Sequence, residues 1–192
     1  ATAPANYSQA VDTVAPTVSS VVISAMGASG TLLNADDVVT VTATYSEAVS
    51  GQPTTAPTLT IGAETGIVLT AGTTTGNTRT WTYTITSTGT TDTGSISVVG
   101  NLVTGITDAA SNAATGSTPA ATGSFTADTT APTVSSVVIS ATGASGTLLN
   151  AGDVVTVTAT YSEAVNGQPT TAPTLTIGSE TGIALTAGTT TG

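Results

Sequence analysis

The sequence predicts an all-β protein built from antiparallel, two-layer sandwiches in tandem. The first observation is composition, because the strand formers Thr and Val are abundant while the helix formers Leu, Glu and Lys are scarce. The second is a set of short segments in which apolar and hydroxyl side chains alternate with the period of a half-buried strand. The third is a long internal repeat, which indicates that one folding unit occurs more than once.

Each predicted strand has its own local signal. A first strand over 16–24 begins at Pro16, whose missing N–H is tolerated at the start of a strand. Valine and alanine alternate with threonine in 38–46, and in 78–87 large apolar residues alternate with threonine still more regularly. The remaining predicted strands are separated by Gly, Asn and Asp residues and cover 57–61, 66–70, 94–100 and 119–127.

Seven short strands in a unit of about 116 residues are typical of an immunoglobulin-like antiparallel sandwich. A unit of this size is large enough to bury a core of its own. We expect Tyr45, Trp81 and Phe125 to lie in that core rather than to form a recognition surface.

The repeat defines the predicted domains. Residues 12–76 recur as 128–192 with a constant offset of 116, and only six of the 65 aligned pairs differ. We therefore predict a complete sandwich over 12–127, a partial one over 128–192, and a linker or the tail of a preceding unit over 1–11. The partial unit lacks a counterpart of 77–127, so we expect it not to close a core unaided. Either the chain is cut from a longer protein, or another chain supplies the missing strands.

Antiparallel strands that alternate in direction place their connections at the two ends of a unit. The acidic residues lie mostly in these predicted connections. At one end we expect Asp12, Glu47 and Asp108 together with Asn112, and at the other end Asp36, Asp37, Glu64 and Asp92.

The first of these two acidic groups predicts a calcium site. Calcium prefers six to eight oxygen ligands, and Asp12, Glu47 and Asp108 would supply three carboxylates. Asp128 and Glu163 repeat two of these positions in the second unit. The alternative is that the acids are solvated or cap turns through their own backbone. No loop of EF-hand type is present, so the calcium prediction follows from topology and not from a motif.

Charge and composition exclude several classes of function. The net charge is −10, Arg79 is the one basic residue, and neither His nor Cys occurs. One arginine cannot supply the phosphate contacts of a nucleic-acid partner. Zinc sites of Cys and His, thiolate nucleophiles and Ser-His-Asp triads are excluded as well. No apolar run reaches the length of about 18 residues that a membrane span needs, so we expect no membrane insertion here.

We also expect that the chain is not an enzyme. Asp36 and Asp37 are adjacent at the start of a predicted strand, so their side chains point to opposite faces and cannot flank one glycoside substrate. Asp36 is moreover replaced by Gly152 in the repeat. The threonine ladders at 40–44 and 80–86 could form a ligand face for ice or a polysaccharide, or simply the solvent side of a sandwich.

The stretch 152–165 reads GDVVTVTATYSEAV and resembles a segment of bacterial immunoglobulin-like repeats, which occur in giant secreted adhesins and biofilm-associated surface proteins. The entry pattern D-x-x-A-P-x-V at Asp12 and Asp128 is similar to that family too. Three further blocks resemble its later segments and lie at 57–61, 81–85 and 106–112. The resemblance covers residues 12–192.

This resemblance implies a rod of tandem sandwiches that is exported to the bacterial cell surface or the extracellular matrix. In many relatives calcium stiffens the rod, and the ligands implied here are Asp12, Glu47, Asp108, Asp128 and Glu163. Two functions stay open. The chain is either a spacer in the stalk of an adhesin, contacting neighbouring repeats, or a subunit of a filament, sheath or layer in which copies lend strands to one another.

Overall fold

The computed structural model describes residues 9–87 and 92–190, and every regular element within them is a β-strand. The chain divides into two compact units, Ala1–Thr130 and Ala131–Gly192. No helix in the described residues is long and apolar enough to cross a membrane.

The described part of the first unit contains nine strands in two sheets. They are β1 (Val18–Met26), β2 (Leu32–Leu33), β3 (Val38–Tyr45), β4 (Thr58–Ile61), β5 (Glu64–Val68), β6 (Thr70–Thr75), β7 (Thr78–Thr84), β8 (Gly94–Val99) and β9 (Thr126–Ala127). One sheet has the order β1-β3-β7-β6 and the other β2-β9-β8-β4-β5. All neighbours are antiparallel except β2 and β9, which are parallel.

The two sheets share one hydrophobic core. In β3 every second residue is buried, so that Val39, Val41 and Tyr45 face inward while the intervening threonines are partly exposed. The second sheet contributes Leu59 and Ile61, which are buried as completely. Burial of alternate residues from two sheets is what a two-layer sandwich requires. The structure therefore confirms the predicted all-β fold of antiparallel sheets.

The aromatic residues lie largely where the sequence predicts them. Trp81 and Tyr45 are each only 1% exposed, and Ile85, which directly follows β7, is also 1% exposed. Phe125 and Tyr83 are partly buried and pack against the core. Their partial burial places them at its margin.

Two predicted strands differ from the structure. The segment 66–70 is not one strand, because the chain changes sheets there: β5 pairs with β4, whereas β6 pairs with β7. Leu69 lies between them and is buried in the core, 3% exposed. The alternation of apolar and polar residues in the sequence does not reveal this change. Leu69 continues that alternation, and a buried residue at its position fits either one continuous strand or a crossing between two sheets.

The predicted strand 119–127 is also wrong over most of its length, since only Thr126–Ala127 is a strand. The preceding segment runs parallel to β1 and is held by isolated bridges, Thr17 to Thr115 and Val22 to Thr122. Pro119 has no N–H, and Gly123 adopts a φ of 100°, so a regular ladder is interrupted here.

The second unit repeats the local pairing but buries no residue between 131 and 190. Its described strands are β10 (Val134–Thr142), β11 (Val154–Tyr161), β12 (Thr174–Ile177) and β13 (Glu180–Ala184). They form two separate two-stranded sheets, β10-β11 and β12-β13. The register of β10 on β11 is the same as that of β1 on β3, including the irregularity near its start.

Replacing Tyr45 by Phe is expected to destabilise the first unit by about 1–3 kcal/mol. The buried Tyr45 hydroxyl donates to the carbonyl oxygen of Leu102 at 2.7 Å, and the substitution leaves that acceptor without this donor. Tyr161→Phe is the matched control, because this counterpart is partly exposed. Urea unfolding followed by the fluorescence of Trp81, the single tryptophan, measures both. Equal losses in the two variants would contradict the assignment.

Candidate metal centre

Three carboxylates meet at one end of the first unit. One oxygen from each of Asp12, Glu47 and Asp108 lies within 4.8 Å of those of the other two. Asp12 precedes β1, Glu47 follows β3, and Asp108 lies in the connection between β8 and β9. The predicted gathering of these three acids at one end is therefore present in the structure.

Antiparallel pairing brings the first two acids together. Val18 at the start of β1 pairs with Tyr45 at the end of β3. Beyond this pair, the Thr17 N–H donates to Ser46 Oγ at 3.0 Å, and the Ser46 N–H donates to the Thr17 carbonyl at 2.9 Å. These bonds extend the contact past the strands toward the residues that precede β1 and follow β3. The positions of Asp12 and Glu47 thus follow from the register of β1 on β3.

A second pairing brings in the loop that carries Asp108. Ser50 and Thr107 form an isolated antiparallel bridge, in which the N–H of each donates to the carbonyl of the other at 2.6 and 3.1 Å. Ser50 lies three residues after Glu47, and Thr107 directly precedes Asp108. This bridge ties the chain beyond β3 to the β8–β9 connection.

Asn112 holds Asp108 in place and joins it to the segment of Asp12. The Asn112 N–H donates to Asp108 Oδ1 at 2.8 Å and its side-chain Nδ2 donates to Oδ2 at 2.7 Å. The same Nδ2 donates to the Asp12 carbonyl at 3.1 Å. Asn112 is thus a positioning residue of the cluster, at the end where the sequence predicts it.

The three acids differ in their electrostatics. Burial favours protonation of Asp108, which is 4% exposed, but hydrogen bonds from Asn112 and from the N–H groups of Ala110 and Ser111 outweigh it and lower the pKa. Burial raises the pKa of Glu47, and the charges of Asp12 and Asp108 raise it further. The site therefore combines an Asp108 whose ionised form is stabilised by hydrogen bonds with a Glu47 whose ionisation is opposed by burial and by the neighbouring charges.

The donor set fits a hard cation. Calcium–oxygen distances are about 2.3–2.6 Å, so two ligand oxygens on one ion are separated by at most about 5 Å. The 4.8 Å limit on the oxygens of Asp12, Glu47 and Asp108 meets this condition. All the side chains in the cluster offer oxygen, the ligand type that calcium prefers.

The remaining two predicted ligands are not in this group. Asp128 accepts a hydrogen bond from the Thr130 N–H at 3.0 Å, as Asp12 does from the Val14 N–H at 3.0 Å. Glu163 follows β11 as Glu47 follows β3. Its Oε1 is buried and has no hydrogen-bond partner among the described residues. Residues 128–192 correspond to 12–76 and contain no counterpart of Asp108, so a role for Asp128 and Glu163 in metal binding stays a prediction.

The acids predicted at the other end make structural contacts. Asp92, 1% exposed, accepts hydrogen bonds from the Tyr83 hydroxyl at 2.9 Å and from the Thr86 N–H at 2.7 Å. Asp37 accepts from the Asn34 N–H at 2.8 Å. Asp36 has a φ of 73°, a conformation that favours glycine, and glycine occupies this position in the repeat. The backbone conformation at this position therefore explains why glycine can replace aspartate in the repeat.

No protein-family model, curated protein or solved structure matches this chain.

Proposed function

We propose that the chain is a structural repeat segment of an exported bacterial cell-surface adhesin, in which it serves as a rigid spacer. Calcium stiffens the junctions between repeats in this proposal. The observation that carries it is the cluster of Asp12, Glu47 and Asp108 at the end of the first unit where the chain enters β1.

The repeat supports a mechanical role. Copies that differ at only six of 65 positions supply the same surface again, which suits a spacer better than a single reactive centre. The buried polar residues of the first unit fit the same role. Arg79 donates to backbone carbonyls, and Asp92 accepts from a tyrosine and a backbone N–H. These groups are occupied by contacts that maintain the sandwich.

A cation in the cluster would restrict the motion of the segment that leads into β1. Asp12 lies in the segment that leads into β1, whereas Glu47 and Asp108 belong to loops of the folded unit. An ion held by all three would join the incoming segment to the sandwich and would cancel their mutual repulsion. This turns a hinge into a stiff connection, which is what a spacer under tension needs.

The sequence also leaves open a subunit of a filament, sheath or layer in which copies lend strands to one another. The cluster of Asp12, Glu47 and Asp108 supports the spacer, because an ion bound there would stiffen a repeat, whereas strand exchange does not need one.

Millimolar calcium is expected to raise the thermal midpoint of the first unit by several degrees, because an ion that binds only the folded state stabilises it by mass action. Glu47→Gln is expected to abolish this rise. Glu163→Gln in the second unit is the matched control and is expected to retain it. Fluorescence of Trp81 reports the transition, and sodium chloride at the same ionic strength serves as the control.

Without calcium, Glu47→Gln is expected to raise the midpoint at neutral pH. The folded-state pKa of Glu47 is raised, so its contribution is most favourable at acid pH and is lost as the pH rises through that value. The contribution of Asp108 has the opposite sign and is lost as the pH falls through its lowered pKa. An unchanged midpoint with calcium, or an equal rise in Glu47→Gln, would refute the proposal.

A further inference from the structure

One of the six differences between the two copies places an asparagine directly before a glycine. Ser50 of the first copy corresponds to Asn166 of the second, whereas the following glycine, Gly51 or Gly167, is the same in both. Of the seven asparagines in the sequence, Asn166 is the one that glycine follows. The main-chain nitrogen of the next residue can attack an asparagine side chain, and a residue without Cβ hinders this attack least. The dipeptide is therefore a candidate for spontaneous loss of the side-chain amide.

The fold favours glycine after this position. Gly51 has a φ of 85° and Gly167 a φ of 86°, in the left-handed region where other residues are strained. In the first unit, moreover, a Cβ on Gly51 would lie 2.4 Å from the carbonyl oxygen of Gly105, which is too close for any side chain. The backbone thus keeps next to Asn166 the residue type that shields its side chain least.

The groups that would react are accessible. Asn166 and Gly167 are exposed, and so are Ser50 and Gly51 in the first unit. Within the described part of the chain, neither glycine donates its N–H to a hydrogen bond, and the Asn166 amide makes none. Because the first unit has a closed core, its Ser50 shows that this position stays open to water in a complete sandwich.

We propose that Asn166 is a site of spontaneous deamidation. The main-chain nitrogen of Gly167 gives up its proton to water and attacks Cγ of Asn166. A cyclic succinimide forms as the bond from Cγ to the side-chain nitrogen breaks, and this nitrogen leaves as ammonia. Water then adds to either carbonyl of the ring, which opens to aspartate or to isoaspartate. Ser50 has no amide to lose, so the first copy is spared at this position.

The products alter the loop after β11 in two ways. Both add a carboxylate three residues after Glu163. Isoaspartate also lengthens the main chain, because the side-chain carbon becomes part of the backbone. In the first unit the main chain of Ser50 is bridged to Thr107, and an isoaspartate at such a position would disrupt the bridge. Deamidation would therefore age the second copy selectively, and this inference does not depend on the calcium site.

The test incubates the full chain in mildly alkaline buffer, below its unfolding temperature, and follows each asparagine by peptide mapping with mass spectrometry. Asn150 is the internal control, because it is also exposed in the second unit but is followed by Ala151. Asn166 is expected to lose its amide at least about tenfold faster than Asn150, since the Cβ of Ala151 hinders the attack. An isoaspartate-specific methyltransferase is expected to label the product at position 166.

The repeat supplies the matched variant. Asn166→Ser restores the residue of the first copy and is expected to abolish the methyl label while retaining the Trp81 unfolding curve. An unmodified Asn166, or equal rates at Asn166 and Asn150, would overturn the proposal. Conversion to aspartate alone would overturn it as well, because a succinimide opens at either of its carbonyls and must also give isoaspartate.

Discussion

Replacing Ile61 by Ala is expected to lower the free energy of unfolding of the first unit by about 2–5 kcal/mol. Ile61 is 1% exposed at the end of β4 and packs in the core shared by the two sheets. The truncation removes buried apolar surface and leaves a cavity that the opposing sheet fills only in part. Urea unfolding followed by Trp81 fluorescence and by circular dichroism measures the loss.

The repeat provides a matched control for this substitution. Ile177 occupies the same position in the second unit but is 53% exposed. Ile177→Ala is therefore expected to change the unfolding free energy of the whole chain by no more than about 0.5 kcal/mol. Similar losses in the two variants would show that the second unit closes a core of its own.

Replacing Arg79 by Met is expected to cost the first unit about 3 kcal/mol or more, because buried acceptors lose a charged donor. Arg79 is fully buried, and its guanidinium donates to the carbonyls of Gly51 at 3.1 Å, of Thr78 at 2.8 Å and of Val49. Burial lowers its pKa, although the neighbouring Tyr45 partly opposes this.

Two comparisons separate this network from simple packing. Arg79→Lys is expected to lose most of the same stability, because a single ammonium group cannot reproduce the planar fork of a guanidinium. Thr84→Ala, at an exposed position of the same strand, is expected to leave the unfolding curve nearly unchanged. Retention of wild-type stability in Arg79→Met would show that the three carbonyl contacts contribute little.

Sequence alone predicts strands well where polarity alternates regularly. Predicted strands at 38–46 and 94–100 match β3 and β8 within a residue at each end. The change of sheet at Leu69 is not predictable in this way. It depends on which strand the chain can pair with once β5 has ended, and that is a property of the assembled sheets. The segment before β9 that runs parallel to β1 is not predicted either. It is held by isolated bridges, and such bridges do not require apolar and polar residues to alternate in the sequence.

The candidate site is predicted from the alternating direction of the strands. The burial of Arg79 is not predicted in that way. Asp12, Glu47 and Asp108 meet because β1 and β3 are antiparallel and the loop after β8 returns to the same end. The burial of Arg79 also had a signal, since it lies two residues before Trp81 and hence on the inward face of its strand. A charged side chain is buried only where it finds partners, and the carbonyls of the loop after β3 provide them.

Calorimetric titration of the full chain with calcium tests the central claim most directly. We predict saturable binding at millimolar calcium or below, and a loss of affinity of about tenfold or more in Asp12→Asn, because one of three carboxylates is neutralised. This variant keeps the turn, since asparagine can accept the hydrogen bond from the Val14 N–H as aspartate does. Absence of saturable binding, or undiminished affinity in Asp12→Asn, would contradict the account.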